Sequence, residues 1–243
     1  MNHSAAEKIM TRQHNPFDRL QPTPPLIYLI TSGLTDEPTT PATAAFLSIL
    51  SLVRSAVAAQ IDLIQIREKN LSANVLYELA RSAAEITRAS STKLLINDRA
   101  DIAAASGADG VHLTASSLPA AVVRQTFGEE FLIGASTHSL QEASDARNGG
   151  ADFAVFGPVF ATASKTKYGE PLGREALERV CSELKPFPIV AIGGVNTSNA
   201  ADCIGASARG VAAITMLQRP ETLADVAAEI RRGVAEARPL GRA

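Results

Sequence analysis

The chain has 243 residues, of which 46% are hydrophobic, and it carries a formal net charge of −2 at pH 7. This near-neutral balance argues against nucleic acid or an acidic membrane surface as the main partner. No apolar run approaches the roughly 20 residues that a transmembrane helix needs. The two cysteines, Cys181 and Cys203, lack the spacing of a metal or redox motif. We therefore expect a cytoplasmic protein with reduced cysteines, for which a homo-oligomer stays open.

The two ends of the chain differ from the rest in composition. Residues 1–25 are largely polar, show no periodic pattern and lack the apolar core of a secretory signal, so they predict a disordered N-terminal tail. Residues 238–243 predict a frayed C-terminus. The residues between, 26–237, are expected to form one domain.

Eight short apolar segments alternate along this domain with eight segments of helical periodicity. The predicted strands are Leu26–Thr31, Leu63–Arg67, Lys93–Asn97, Gly110–Leu113, Phe131–Ala135, Phe153–Phe156, Pro188–Ile192 and Gly210–Ile214. The predicted helices are Ala42–Ala59, Ser72–Ser90, Arg99–Ser106, Pro119–Phe127, Leu140–Asn148, Arg174–Leu184, Thr197–Ile204 and Glu221–Ala237.

Repeated strand–helix units indicate an α/β fold with a parallel sheet and right-handed crossovers. Eight units in this length fit a closed (β/α)8 TIM barrel better than an open sheet. An open dinucleotide-binding sheet would have a Gly-x-Gly-x-x-Gly turn after the first strand, which Thr31-Ser32-Gly33-Leu34 does not supply. The barrel predicts an active site at the carboxyl ends of the strands.

Cations follow the second predicted strand. Strand alternation places Gln65, Arg67 and Lys69 on the side opposite Ile64 and Ile66, which belong under the helices. Two clustered cations at the barrel mouth indicate an anion. Asn97 after strand three and Lys165 after strand six could join them to hold a pyrophosphate, although a solvated surface charge is the alternative for each lysine.

Glycines follow the seventh predicted strand, and Thr215 follows the eighth. Gly193-Gly194 lets backbone N–H groups approach an anion, and barrels often bind phosphate after strands seven and eight. We interpret this pair, with Thr215 opposite, as a phosphomonoester site. A tight turn is the alternative.

Polar residues after other strands give further candidates. Asp98 could be a Mg²⁺ ligand, or it could pair with Arg99 at a helix start. His138, two residues after Ser136, could be a general acid or base, or only a hydrogen-bonded loop residue. His112 could be a second-layer or packing residue.

The residues at the strand ends are similar to those of the thiamine phosphate synthase/thiazole tautomerase (TenI-like) superfamily, from about Leu26 to about Ala237. Six ordered motifs carry the resemblance. They are residues 64–69 (IQIREK), 96–99 (INDR), 107–113 (GADGVHL), 133–138 (IGASTH), 157–165 (GPVFATASK) and 191–195 (AIGGV).

This resemblance implies an enzyme that joins a hydroxymethylpyrimidine diphosphate to a thiazole phosphate, giving thiamine phosphate and pyrophosphate. Its partners would be these small phosphorylated molecules, and its metal would be Mg²⁺. The implied roles are pyrophosphate binding by Gln65, Arg67, Lys69, Asn97 and Lys165, metal binding by Asp98, contact with the reacting pyrimidine by Ser136, and thiazole phosphate binding by Thr162, Ser164, Gly194 and Thr215.

One position departs from the synthase pattern. Ser117 stands where the synthase has a second metal-binding aspartate, and a hydroxyl is a poorer Mg²⁺ ligand. The resemblance therefore also allows a metal-free thiazole tautomerase that uses His138, although Gln65, Lys69 and Pro158 are more typical of the synthase. A third hypothesis is a non-catalytic barrel that binds thiazole or thiamine phosphate and acts as a regulator.

Overall fold

The computed structural model describes residues 25–36, 38–162 and 170–237. Its eight strands are all parallel and close into a barrel in chain order, which confirms the predicted fold class. The strands are β1 (Leu26–Ile30), β2 (Leu63–Ile66), β3 (Lys93–Asn97), β4 (Gly110–Leu113), β5 (Leu132–Thr137), β6 (Phe153–Phe156), β7 (Ile189–Ile192) and β8 (Gly210–Ala213).

Helices in the described ranges follow the strands. They are α1 (Ala44–Ala58), α2 (Ala73–Thr87), α3 (Ala100–Ser106), α4 (Ala120–Phe127), α5 (Leu140–Asn148), α6 (Gly173–Glu183), α7 (Ala200–Gly205) and α8 (Leu223–Ala237), with a short 3-10 helix at Thr215–Leu217. The predicted terminal segments lie outside the described residues, apart from Pro25, and so do Ser164 and Lys165.

Two apolar cores explain why these strands form, and strand alternation separates them. Ile64 and Ile66 belong to the outer core between strands and helices, as predicted. Leu63 belongs to the inner core that fills the bore of the barrel. The buried members of that inner core are Leu26, Tyr28, Ile30, Leu63, Leu95, Leu132, Phe153, Val155, Val190 and Ala212.

Small residues make room for rings inside the bore. A Cβ atom at Gly134 would lie 2.5 Å from the Phe153 ring and 2.8 Å from His112 Nδ1. Tyr28 packs edge-on against both rings, with centroid distances of 5.8 Å to His112 and 5.9 Å to Phe153. The bore is therefore a packed interior, as expected for a barrel of eight strands.

A carboxylate precedes each of three alternate strands at the amino end of the barrel. Asp62, Asp109 and Asp152 accept hydrogen bonds from the second backbone N–H of the preceding strand, at Ile27 (2.9 Å), Leu94 (2.8 Å) and Ile133 (2.7 Å), respectively. Each also pairs with a cation, namely Arg231, Lys93 and Arg124. At the amino end of the barrel, each of these negative charges is therefore paired with a positive one.

Local sequence signals account for several helix ends. The Ser72 hydroxyl accepts a hydrogen bond from the Val75 N–H and caps α2, and Gly107 ends α3 with a φ of 77°. Cys181 and Cys203 are buried in α6 and α7, and burial raises the pKa of each thiol to about 12. Within the described ranges, none of the helices is both long and apolar enough to span a bilayer.

We expect Arg124→Met to lower the free energy of unfolding by about 3 kcal/mol, because it leaves a buried carboxylate without its cation. Asp152 is fully buried, and its Oδ2 lies 2.7 Å from Arg124 Nη2. Urea unfolding at neutral pH measures the change. Arg81→Met, which removes two exposed ion pairs on α2, is the matched control and should leave the midpoint unchanged. Equal midpoints for the two variants would contradict this assignment.

Candidate active site at the carboxyl ends of the strands

The carboxyl ends of the strands bring most of the predicted site residues to one rim, because all eight strands run parallel. β2, β3 and β5 deliver Gln65, Asn97 and Ser136, whereas the loop residues follow the strands directly. Those loop residues are Arg67 and Lys69 after β2, Asp98 after β3, His138 after β5, Thr162 after β6, Gly193 and Gly194 after β7, and Thr215 after β8.

A line of four hydrogen bonds crosses the bore beneath this rim. Gln65 Nε2 donates to Asn97 Oδ1 at 3.0 Å, and the Tyr28 hydroxyl lies 3.2 Å from Gln65 Oε1. The same hydroxyl lies 3.2 Å from His112 Nδ1, and His112 Nε2 lies 2.9 Å from Ser136 Oγ. The line therefore runs from Asn97 on β3 to Ser136 on β5.

Burial keeps this line uncharged. Gln65 is 1% exposed, Tyr28 0% and His112 2%. Burial lowers the pKa of His112 to about 3 and raises the pKa of Tyr28 well above its usual value, because a charge in the bore would lose its hydration. Near neutral pH, His112 is a neutral imidazole and Tyr28 a neutral phenol.

The loop after β1 positions Arg67. The Thr31 hydroxyl accepts a hydrogen bond from the Arg67 N–H at 2.8 Å. Gly33 adopts a φ of 73°, and a Cβ atom there would lie 2.9 Å from Arg67 Nη1, so the guanidinium passes directly over this glycine. Arg67 is half-buried, and no carboxylate among the described residues forms an ion pair with it. This leaves a half-buried cation at the rim.

Glu68 joins the loop after β2 to the loop after β1, and these hydrogen bonds occupy its carboxylate, so it is not a further metal ligand. Its carboxylate is buried and accepts hydrogen bonds from Gly33 N, Thr35 N and the Thr35 hydroxyl at 3.1, 3.2 and 2.7 Å, respectively. Asn70 Nδ2 adds a bond to the Thr35 carbonyl at 3.1 Å. Lys69 is exposed between these anchored residues.

The glycine pair after β7 packs against the loop after β6. A Cβ atom at Gly193 would lie 2.5 Å from Pro158, and one at Gly194 would lie 2.4 Å from the Ala161 carbonyl oxygen. Phe160 N donates to the Gly193 carbonyl at 2.9 Å. The tight turn and the phosphate interpretation therefore both require glycine here. Thr215 is exposed at the start of the 3-10 helix.

Asp98 keeps its carboxylate at the rim. It has a φ of 64°, is exposed, and donates its N–H to the His112 carbonyl at 2.9 Å. Arg99 pairs with Asp101, at 2.6 and 2.8 Å, so the predicted alternative of an Asp98–Arg99 pairing is wrong. The carboxylate of Asp101, inside the first turn of α3, is the one that Arg99 reaches.

The loop after β4 supplies hydroxyls and no acid. Ser117 Oγ accepts the Thr114 N–H at 2.8 Å and lies 3.1 Å from the Thr114 hydroxyl. In the described ranges, no group of three or more His, Cys, Asp or Glu side chains is arranged to hold a metal ion. The exposed carboxylate of Asp98 is the type of ligand that Mg²⁺ binds, since Mg²⁺ commonly uses one or two carboxylates together with waters and phosphates.

His138 belongs to the start of α5. Its backbone N–H donates to Glu142 Oε2 at 2.7 Å, and its Nδ1 lies 3.3 Å from the same oxygen. Ser139 caps the helix through the Glu142 N–H. His138 is nevertheless about half exposed, with 47% of its side chain accessible, so the ring faces solvent near the rim.

Comparison with known proteins identifies the family. The model of the family described as thiamine monophosphate synthase matches residues 37–217. This chain belongs to the thiamine monophosphate synthase family. It is 42% identical to the thiamine-phosphate synthase of Moorella thermoacetica, over 78% of this chain and 90% of that protein. It is 41% identical to the one from Chlorobium luteolum, over 78% of this chain and 85% of that protein.

A solved structure of the same family has the same fold. The thiamine phosphate pyrophosphorylase of Pyrococcus furiosus superposes with a TM-score of 0.73 and 30% sequence identity, covering 89% of this chain and 97% of that one. The predicted resemblance, the barrel and the transferase class of this thiamine monophosphate synthase family member are thereby confirmed.

Sequence reasoning missed Tyr28 and left His112 as a packing candidate. The available signal was the alternation in β1, which turns Leu26, Tyr28 and Ile30 into the bore. A tyrosine hydroxyl inside an apolar core needs a hydrogen-bond partner, and polar residues at inward positions of other strands are the candidates. The same reasoning applies to Gln65, His112 and Ser136.

We expect His112 to lower the free energy of unfolding of this protein as the solution becomes more acidic. Between about pH 3 and pH 6.5 the unfolded chain binds a proton at this histidine that the folded chain does not, so stability falls as the pH drops through this window. Between pH 7 and pH 5 the loss should be about 2 kcal/mol. Urea unfolding at both values should show it in the parent protein and not in His112→Asn. The control His138→Asn should keep the full loss, and an unchanged loss in His112→Asn would refute the assignment.

Proposed function

We propose that this chain is a thiamine phosphate synthase that couples hydroxymethylpyrimidine diphosphate with a thiazole phosphate, releasing pyrophosphate. The observation that carries the proposal is the family match together with the half-buried Arg67 at the rim, which forms no ion pair with a described carboxylate, and the Asn97 end of the buried polar line at the same rim. A diphosphate leaving group needs such positioned positive charge and amide donors.

These residues are best suited to bind the leaving group, the diphosphate. In the proposed reaction the bond between the pyrimidine methylene and the diphosphate breaks, and the thiazole nitrogen takes its place. Arg67 and Asn97 bind the diphosphate oxygens in this proposal, with Gln65 fixing the Asn97 amide, and Lys69 and Lys165 add charge. Thr31 holds the Arg67 backbone, and the guanidinium packs over Gly33, so the cation is positioned before charge develops on the leaving group in this proposal.

Asp98 would hold the Mg²⁺ ion in this proposal. When bound, Mg²⁺ would neutralise charge on the departing diphosphate. The exposed carboxylate, left unpaired by Arg99, suits an ion that also contacts the substrate. Ser117 already accepts a backbone N–H, which makes it a weak additional donor.

The thiazole phosphate would lie across the rim, near the glycine pair. Gly193 and Gly194 carry positive φ values of 94° and 65°, a conformation that glycine adopts more readily than other residue types. Thr215 and Thr162 complete this side in the proposal, together with Ser164, two residues after Thr162 in the sequence.

A metal-free isomerase that acts on a carboxythiazole phosphate is the second candidate. Two observations favour it: Asp98 is the one carboxylate that the resemblance leaves for a metal, and His138 lies near the rim with half of its side chain exposed. In that reaction His138 would move a proton within the thiazole, and Glu142 would hold its ring.

Purified protein with both substrates and Mg²⁺ tests the proposal through the release of thiamine phosphate and pyrophosphate. Arg67→Ala should lower kcat/KM about 100-fold, because a charged contact to the diphosphate is lost. Arg54→Ala, an exposed arginine on α1, is the matched control and should keep full activity.

Two outcomes would overturn the synthase assignment. One is conversion of carboxythiazole phosphate without metal and no thiamine phosphate, which would favour the isomerase. The other is binding of thiamine phosphate without any turnover, which would indicate a regulator. Full activity of Arg67→Ala would instead refute the position of the diphosphate.

A further inference from the structure

The hydrogen-bonded line in the bore can satisfy all its members in only two ways. Tyr28 has one hydroxyl proton and two partners, Gln65 Oε1 and His112 Nδ1. A neutral imidazole has one N–H and one acceptor nitrogen. Each donor choice therefore fixes the next, and the direction of the whole line follows from the orientation of one terminal group.

In the first arrangement the donors run from Ser136 toward Asn97. Gln65 Nε2 donates to Asn97 Oδ1, so Gln65 Oε1 must accept the Tyr28 proton. Tyr28 Oη then accepts from His112 Nδ1–H, which leaves His112 Nε2 bare to accept the Ser136 proton. The Ser136 lone pairs remain for a ligand, and the Asn97 amide nitrogen points away from Gln65.

In the second arrangement both amides are turned over and every bond reverses. The Asn97 amide then donates to Gln65. His112 carries its proton on Nε2, and the Ser136 oxygen accepts the hydrogen bond from this N–H. The Ser136 hydroxyl would be left as a donor, and the Asn97 oxygen would face away from Gln65. The two arrangements thus present opposite hydrogen-bonding groups at both ends of the line.

We propose that the line couples the two ends of the site: a diphosphate beside Asn97 selects the first arrangement and makes Ser136 a hydrogen-bond acceptor. An anion attracts the amide NH2 of Asn97 and repels its oxygen, so it favours the first arrangement. Ser136 then suits a ligand that presents an N–H donor, such as an exocyclic amino group. Tyr28 and His112 are the positioning residues that carry this choice across the bore.

The surroundings make this choice strict. Tyr28, Gln65 and His112 are each at most 2% exposed, so water cannot replace a missing partner. Packing on this side of the imidazole is tight, because a Cβ atom at Gly134 would lie 2.8 Å from His112 Nδ1 and 2.5 Å from the Phe153 ring. The inference rests on the proposed function only for the anion at Asn97.

Tyr28→Phe is the direct test, because it removes one oxygen and keeps the ring that packs in the bore. In the parent protein, nitrogen-15 NMR of labelled histidine should show His112 protonated on Nδ1, and added inorganic pyrophosphate should increase the fraction of that form. In Tyr28→Phe the Nδ1-protonated fraction should fall and should no longer respond to pyrophosphate. kcat should fall about tenfold or more, while KM for the pyrimidine diphosphate stays within about threefold.

Tyr77→Phe is the matched control, since it removes a hydroxyl from α2 outside the bore and should change neither readout. His112 protonated on Nε2 in a parent protein that binds pyrophosphate and turns over would overturn the coupling alone. Pyrophosphate that fails to bind would overturn the coupling and the proposed function together. A KM that rises as much as kcat falls in Tyr28→Phe would also contradict a positioning role.

Discussion

The hydrogen-bonded line from Asn97 to Ser136 is the constraint on which the rest of the structure depends. A barrel of eight strands has a bore just wide enough for packed side chains, and polar groups there must pair with one another. Glycine at position 134 and a ring at position 153 set the space that His112 occupies. The polar residues are tolerated in the bore because each one forms a hydrogen bond with another. The two ends of the line, Asn97 and Ser136, reach the rim where ligands would bind.

The two ends of the barrel use charge in opposite ways. At the amino ends of the strands, Asp62, Asp109 and Asp152 each pair with a cation and accept a hydrogen bond from a backbone N–H group. At the carboxyl ends, Arg67 has no carboxylate partner in the part of the chain that the structure describes. The unbalanced positive charge therefore lies where a ligand can compensate it, while the paired charge stabilises the fold.

Much of the fold follows from local pattern, and its deviations have local causes. β3, β4, β6 and α5 have the bounds that the sequence predicts. β5 extends to Thr137 because Ser136 and Thr137 pair with β6. The sequence of β5 alone does not indicate this pairing. α7 begins at Ala200 rather than Thr197, since the Asn196 side chain accepts the N–H groups of Ser198 and Asn199 in a turn.

The candidate site is less accessible from sequence than the fold. Strand order alone places Arg67, Asn97 and Ser136 at one rim. The contact between Tyr28 and His112 joins residues 84 positions apart and depends on the register of four strands, so no local pattern contains it. The role of Glu68 is similar: its partners Gly33 and Thr35 lie in another loop, and only their positions show that this acid is already engaged.

In the proposed reaction, the rim above this line binds a diphosphate. A crystal structure of the protein soaked with pyrophosphate tests it most directly. We expect pyrophosphate oxygens within hydrogen-bonding distance of the Arg67 guanidinium and the Asn97 amide nitrogen. Pyrophosphate bound at the amino ends of the strands, or at the rim without contact to either side chain, would contradict it.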